Sequence, residues 1–157
     1  MPSTVSIARL SQHLELVPLV ASWLRSEWPF WYGQSGDGNA DSDALAYARP
    51  EASVPLGIVA FNAGIPVGFG ALKNEGVPPG SERRPWVGAG YVVPELRSQG
   101  IGAAILQALL REAKAMGYTT LYCGTSTASS LLEREGWHRL EVVPHGEVQV
   151  VVFERAV

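Results

Sequence analysis

Between Trp86 and Gly124 the hydrophobic spacing changes period twice. Trp86 to Val93 and Thr119 to Gly124 are β-prone. Between them Ile101, Ile105, Leu109, Ala113 and Met116 recur at steps of three or four, which predicts a helix with one apolar stripe from Gly100 to Met116. Gly117 stands where a helix C-cap belongs. A strand, a long helix and another strand in succession, set among hairpins, imply a mixed sheet with helices on both faces.

The rest of the chain supplies the hairpins. Ser3 to Leu10 alternates as a first strand. Leu56 to Phe61 and Ile65 to Leu72 form a pair around the turn Asn62-Ala63-Gly64. Trp137 to Val143 and Glu147 to Glu154 form another, turned at Pro144-His145-Gly146. Leu16, Leu19, Val20, Trp23 and Leu24 predict a helix from Glu15 to Trp28, with Pro18 in its first turn and Pro29 ending it. Gly33 to Asp43 reads as a loop, and Asp43 to Arg49 as a short helix with Asp43 as its cap. Lys73 to Pro85 is a loop, and Ala128 to Glu135 a short helix closed by Gly136. Gly88 and Gly90 leave room for something to approach the strand they share. The order βααβββαβαββ contains seven strands and belongs to an α/β (mixed α+β) fold.

Composition narrows the function. The 157 residues predict a single domain over 1–157, and 46% hydrophobic with 17% charged residues fits a globular protein. A net charge of −3 from 12 basic and 15 acidic residues argues against nucleic-acid binding, which needs a clustered basic surface. One cysteine, Cys123, excludes a disulfide framework and a zinc site built on several thiolates. Asp37, Asp41 and Asp43 resemble a calcium-loop fragment but lack the terminal glutamate, so no metal is expected. No apolar run reaches the ~20 residues that span a bilayer, and Met1-Pro2-Ser3-Thr4 lacks signal-peptide order. The expectation is a cytoplasmic protein with no membrane partner.

Chemistry concentrates in Val92-Val93-Pro94-Glu95-Leu96-Arg97-Ser98-Gln99-Gly100-Ile101-Gly102-Ala103. A strand ends, a glycine turn follows and the long helix begins. Unpaired N–H groups and the helix dipole make such a start attractive to anions, and Arg97 can add charge-assisted bonds. A plain tight turn is one reading. A dinucleotide site needs a third glycine, but Ala104 and Ile105 follow Ala103; a P-loop needs Gly-Lys-Ser/Thr. The remaining reading is a pyrophosphate site of the coenzyme A type.

Arg97-Ser98-Gln99-Gly100-Ile101-Gly102 resembles the Arg/Gln-x-x-Gly-x-Gly/Ala signature of the Gcn5-related N-acetyltransferase (GNAT) family, preceded here by Val93-Pro94-Glu95. Glu133-Arg134-Glu135-Gly136-Trp137 resembles that family's LYE-x-x-GF/GW segment. The resemblance implies a mostly antiparallel sheet of about seven strands, splayed between the fourth and fifth. It implies acetyl-CoA as co-substrate, its pantetheine arm pairing with the backbone of Val92 and Val93 and its pyrophosphate held by the N–H groups of Gln99, Gly100, Ile101, Gly102 and Ala103. An N–H near Val92 would polarise the thioester carbonyl. Tyr91, Arg97, Ser98 and Thr125, the last where the family often has an asparagine, complete the cofactor side. The reaction implied is direct attack by a primary amine, on a small molecule or a peptide amino terminus.

The family often draws a thiolate acid from a tyrosine at the position of Leu132, and leucine cannot donate a proton. Ser129, three residues earlier, is the candidate replacement; capping of the helix by Ser129 and Ser130 is the competing explanation. Because the first helix lines the acceptor groove in the family, Glu27 is the candidate for binding or deprotonating the amine. Trp28, Trp31 and Tyr32 are candidate walls of the acceptor pocket. Leu132 also motivates an alternative, a catalytically reduced acyl-CoA sensor. Homodimers are common in the family, and the compact form suggests a bacterial source.

Overall fold

The computed structural model describes residues 4–157. Its sheet has seven strands in the order β1-β2-β3-β4-β5-β7-β6: β1 (Val5–Arg9), β2 (Leu56–Asn62), β3 (Ile65–Lys73), β4 (Trp86–Val92), β5 (Thr120–Thr125), β6 (His138–His145) and β7 (Val148–Ala156). Neighbours are antiparallel except β4 and β5, which are parallel and joined by α4 (Ile101–Ala115). Both the mixed sheet and the strand count follow the expectation.

One face carries α4. Ile101, Ile105, Leu109 and Ala113 are buried with Leu56, Ile58, Leu72 and Leu121. Fully burying each large aliphatic side chain contributes about 1.5–3 kcal/mol before entropy is counted. The helix lies close because β3 offers it glycine: a Cβ at Gly70 would stand 2.5 Å from Ile105 Cγ2. This close fit over β3 brings the start of α4 to the end of the neighbouring strand β4.

The other face carries α1 (Val17–Glu27) and α3 (Ala40–Tyr47). Trp23 is buried there, its ring 5.2 Å from that of Tyr91. Tyr47 and Phe69 meet at 5.6 Å. Among the described residues no polar or charged residue is buried, and no helix is long and apolar enough to cross a membrane.

Local boundaries shift where side chains decide them. α1 starts at Val17 rather than Glu15, after a 3-10 turn at Leu14–Leu16, because Pro18 fits only a first turn. Pro29 ends that helix but opens another, α2 (Pro29–Tyr32). α3 begins at Ala40, not Asp43: Asn39 is the cap, and its Oδ1 accepts from the Ser42 N–H at 2.9 Å. The last hairpin turns at Gly146-Glu147, closed by the pair His145↔Val148. A two-residue hairpin turn needs positive φ at its first residue, which Gly146 takes at +64° and Pro144 cannot.

Candidate functional site

The sheet opens between β4 and β5. Only Trp86↔Tyr122 and Val87↔Cys123 pair across them. Beyond those pairs β5 stays with β7 through Thr125, while β4 runs on beside β3 to Val92. A register shift opposite Phe69 and Ala71 and a φ of +55° at Ala89 mark a bulge in β4. Bulges bend and twist the strand that carries them, which turns β4 away from β5.

Backbone polarity in the gap follows from the ladder. Val93 N–H donates to Val67 O at 2.9 Å, and Val93 O accepts from Leu96 N–H at 3.0 Å, so both of its groups are engaged within the chain. Val92, opposite Gly68, then occupies a non-hydrogen-bonded position, and its N–H points away from β3 into the opening. Its carbonyl on that side accepts from Arg97 Nε at 2.7 Å.

At the mouth of the gap the chain turns through one 3-10 turn, Pro94–Leu96, into α4. Ser98 and Gly100 lie in the left-handed region, at φ +64° and +88°. Gly100 is the N-cap and has no side chain to satisfy the first turn; the first helical bond is Ala104 N–H to Gly100 O at 3.1 Å. The N–H groups of Ile101, Gly102 and Ala103 therefore have no intrahelical acceptor. A Cβ at Gly100 would meet nothing within 4 Å, so the approach to them is open. Gly102 has a packing reason as well: a Cβ there would lie 3.1 Å from Leu131 Cδ2 of α5 (Ser129–Arg134). An open ring of donors at a helix start is suited to a phosphate group.

Arg97 sits on the lip of the opening. Besides Val92 O, its Nη2 reaches Glu27 Oε1 at 3.3 Å, and its guanidinium lies 5.4 Å from the Tyr91 ring centroid. The structure thus brings Glu27, the last residue of α1, to the glycine turn. Tyr91 is buried beneath. Gln99 Nε2 approaches Glu95 O only at 3.5 Å.

The other lip is the end of β5. Thr125 Oγ1 accepts from Ala128 N–H at 2.8 Å and from Thr127 N–H at 3.1 Å, which ties down the start of α5. Neither Ser129 nor Ser130 caps α5: its N-cap is Ala128, without a side-chain bond. Leu132, where the family places its tyrosine, is buried in the same core cluster as the apolar stripe of α4.

The aromatic cluster divides. Trp28 and Trp31 are partly exposed, and Phe30 is 94% exposed. Tyr32 is half-buried and donates to Asp43 Oδ2 at 2.6 Å; burial, then that carboxylate, raises its pKa out of the physiological range. Asp43, expected as a helix cap, serves instead as this acceptor. The Cys123 thiol is buried and pushed up to about 12, with the charge of Lys73 working weakly in the opposite direction. No group of three or more His, Cys, Asp or Glu gathers as a metal site among the described residues.

Sequence reasoning missed Ala89 and Lys73. The run Gly88-Ala89-Gly90 is the signal for a bulge. The room expected at Gly88 is in fact taken: a Cβ there would stand 2.7 Å from Lys73 Cδ, so the lysine stem lies across that backbone. Gly90 is open.

A family model described as the acetyltransferase (GNAT) family matches residues 18–134. The chain belongs to the GNAT acetyltransferase family. Its fold agrees with solved structures of low sequence identity. An aminoglycoside 6′-N-acetyltransferase complexed with coenzyme A superposes with a TM-score of 0.76 at 17% identity, covering 96% of each chain. A protein from Salmonella typhimurium, solved with its cofactor acetyl-CoA, gives 0.68 at 14%, covering 98% of this chain and 94% of that one. A ribosomal-protein-alanine N-acetyltransferase from Brucella melitensis gives 0.68 at 15%, covering 98% and 99%. No curated protein sequence matches the chain. The GNAT fold, splayed between its fourth and fifth strands, is the one expected from the resemblance.

Proposed function

We propose that this GNAT protein is an acetyl-CoA-dependent N-acetyltransferase, acting as a single domain on a primary amine of a small molecule or a peptide amino terminus. One observation carries the reading: the sheet opens beyond Val87 and Cys123, and an unobstructed helix start with Gly100 at φ +88° stands at the mouth of that opening. An extended arm fits between the strands, and a pyrophosphate fits the helix start. The two structural neighbours solved with coenzyme A and acetyl-CoA point the same way.

In this reading acetyl-CoA supplies an activated acetyl thioester. The N–H groups of Ile101, Gly102 and Ala103 hold the pyrophosphate, with Ser98, Gln99 and Gly100 shaping the turn. The inward N–H of Val92 is the donor for the arm. Arg97 braces the lip through Val92 O, Tyr91 and Glu27. Glu27 faces the acceptor side and attracts a cationic amine or passes its proton to water. Trp28, Trp31 and Tyr32 wall the acceptor space. Thr125 and Ser129 line the far lip, Ser129 as the hydroxyl three residues before the position of the missing tyrosine. The proposed site of action is the cytoplasm.

Calorimetry with acetyl-CoA, followed by thiol release across an amine panel, tests the proposal. The panel should include aminoglycosides and alanine-terminal peptides, since those classes name two of the neighbours. Tight binding and acceptor-dependent thiol release are expected. Absence of acetyl-CoA binding would overturn the cofactor assignment; binding with no release by any amine would overturn the transferase.

A further inference from the structure

The closed end of the opening carries an ammonium that the reading above does not use. Lys73 is the last residue of β3 and pairs with Trp86, the first residue of β4. Its stem crosses Gly88, the residue after the last β4–β5 pair, with Nζ 3.7 Å from the point where a Gly88 Cβ would stand. Lys73 is only partly exposed, and its ammonium has no hydrogen bond or ion pair among the described residues. Its charge is felt by Cys123, the β5 half of the last pair. The other charges nearby are occupied or act elsewhere. Arg83 pairs with Glu141 at 2.7 Å and lies 5.9 Å from the Tyr122 ring centroid, and Glu75 acts on the Tyr47 hydroxyl.

The direction of a bound arm follows from the two ends of the opening. Phosphates held at the start of α4 lie at the mouth, beyond Val92. From Val92 back to Gly88 the strand keeps step with Gly68 to Ala71 of β3, three residues, because the bulge at Ala89 adds a residue without adding length; that is roughly 10 Å at the usual rise per residue. An arm anchored at the mouth and extended along β4 therefore brings its far, sulfur-bearing end toward Gly88. We propose that Lys73 is the catalytic cation of this site, stabilising the negative charge left on sulfur when the acetyl group is transferred. In that step the acceptor nitrogen bonds to the carbonyl carbon, the carbon–sulfur bond breaks, its electron pair stays on sulfur, and the proton lost from nitrogen passes to water. A fixed charge does this work without a hydroxyl at position 132, where leucine stands.

The inference rests on the acetyl-CoA reading, and binding separates the two. Affinities of CoA and of desulfo-CoA, which lacks the sulfur, are measured at pH 6.5 and 9.0 on the wild type, Lys73→Gln and Lys73→Arg. If a fixed positive charge lowers the bound thiol's pKa by one unit from a reference near 8.5, CoA should gain roughly sevenfold in affinity over its desulfo analogue across that range. The Cys123 thiol, at about 12, stays protonated throughout. The gain is expected in the wild type and in Lys73→Arg and should vanish in Lys73→Gln, while desulfo-CoA affinity and Tm stay level in all three. Equal gains in the wild type and Lys73→Gln, or no gain in the wild type, would overturn the role of Lys73 and leave the acetyl-CoA reading standing. Failure of both ligands to bind the wild type would overturn both.

Discussion

Two replacements of Gly100 separate the shape of the helix start from its charge. At φ +88° this residue holds a conformation that strains an L-residue by about 1–2 kcal/mol. No heavy atom lies within 4 Å of a Cβ built there, so Gly100→Ala adds strain without collision. For a chain of this size each kcal/mol lowers Tm by about 2–4 °C, which places the loss at roughly 2–8 °C. Gly100→Glu shares the strain and adds a carboxylate beside the open N–H groups. Against one phosphate charge about 6 Å away, the repulsion is ~0.7 kcal/mol in water and ~3 kcal/mol at an effective dielectric of 20. That range corresponds to roughly 3- to 100-fold in affinity. Thermal unfolding and acetyl-CoA calorimetry on the three proteins read the two terms independently. Both variants should lose similar Tm, the glutamate variant should lose far more affinity, and added salt should narrow the gap. Equal affinity losses would assign the effect to the backbone. Full affinity in Gly100→Glu would mean that no phosphate binds at this turn.

The Glu27–Arg97 pair is partly exposed, so Glu27→Gln should change stability by no more than about 1 kcal/mol. A role on the acceptor side predicts a raised KM or lowered kcat for a cationic amine; steady-state kinetics matching the wild type would reject that role. Cys123 should react slowly with a thiol reagent at pH 8 in the folded protein and rapidly in denaturant, and fast native labelling would contradict its burial. Its folded pKa of about 12 lies above the ordinary 9.0, so its contribution to stability is complete below pH 9 and is lost as pH rises towards 12. Tyr32 and Tyr47 are raised in the same sense. Urea midpoints should therefore fall above pH 9, less steeply in Cys123→Ala, and a flat profile would refute the linkage.

Elements whose boundaries depend on one local period were legible in the sequence. The stripe Ile101, Ile105, Leu109 and Ala113 is the buried face of α4, and Asn62-Ala63-Gly64 marks the turn between β2 and β3. Boundaries set by a competing side chain were not. Asn39 outranks Asp43 as the α3 cap because its own carbonyl reaches the Ser42 N–H, whereas the Asp43 carboxylate is taken by a tyrosine eleven residues earlier. Pro29 has two meanings, stop and start, and Trp28 at φ −126° supplies the break that allows both.

The candidate site divides along the same line. Its mouth is written locally, in one continuous turn of strand, glycine and helix, so the residues from Val92 to Ala103 could be assembled by reading along the chain. Its closed end is written in register. Lys73 lies fifteen residues before Gly88 in sequence, at the edge of a loop with no motif of its own, and meets it only because β3 and β4 pair Lys73 with Trp86. The same register explains why Gly88 is glycine: the position beside the last β4–β5 pair must let a lysine stem lie across the backbone. A side chain at Gly88 would lift that ammonium away, so the glycine that seemed to leave room for a ligand instead holds in place the charge we propose the ligand meets. Position 132 fits this arrangement: a leucine on α5, buried in the same core cluster as the apolar stripe of α4, serves the core, and the charge proposed on β3 needs no proton donor there.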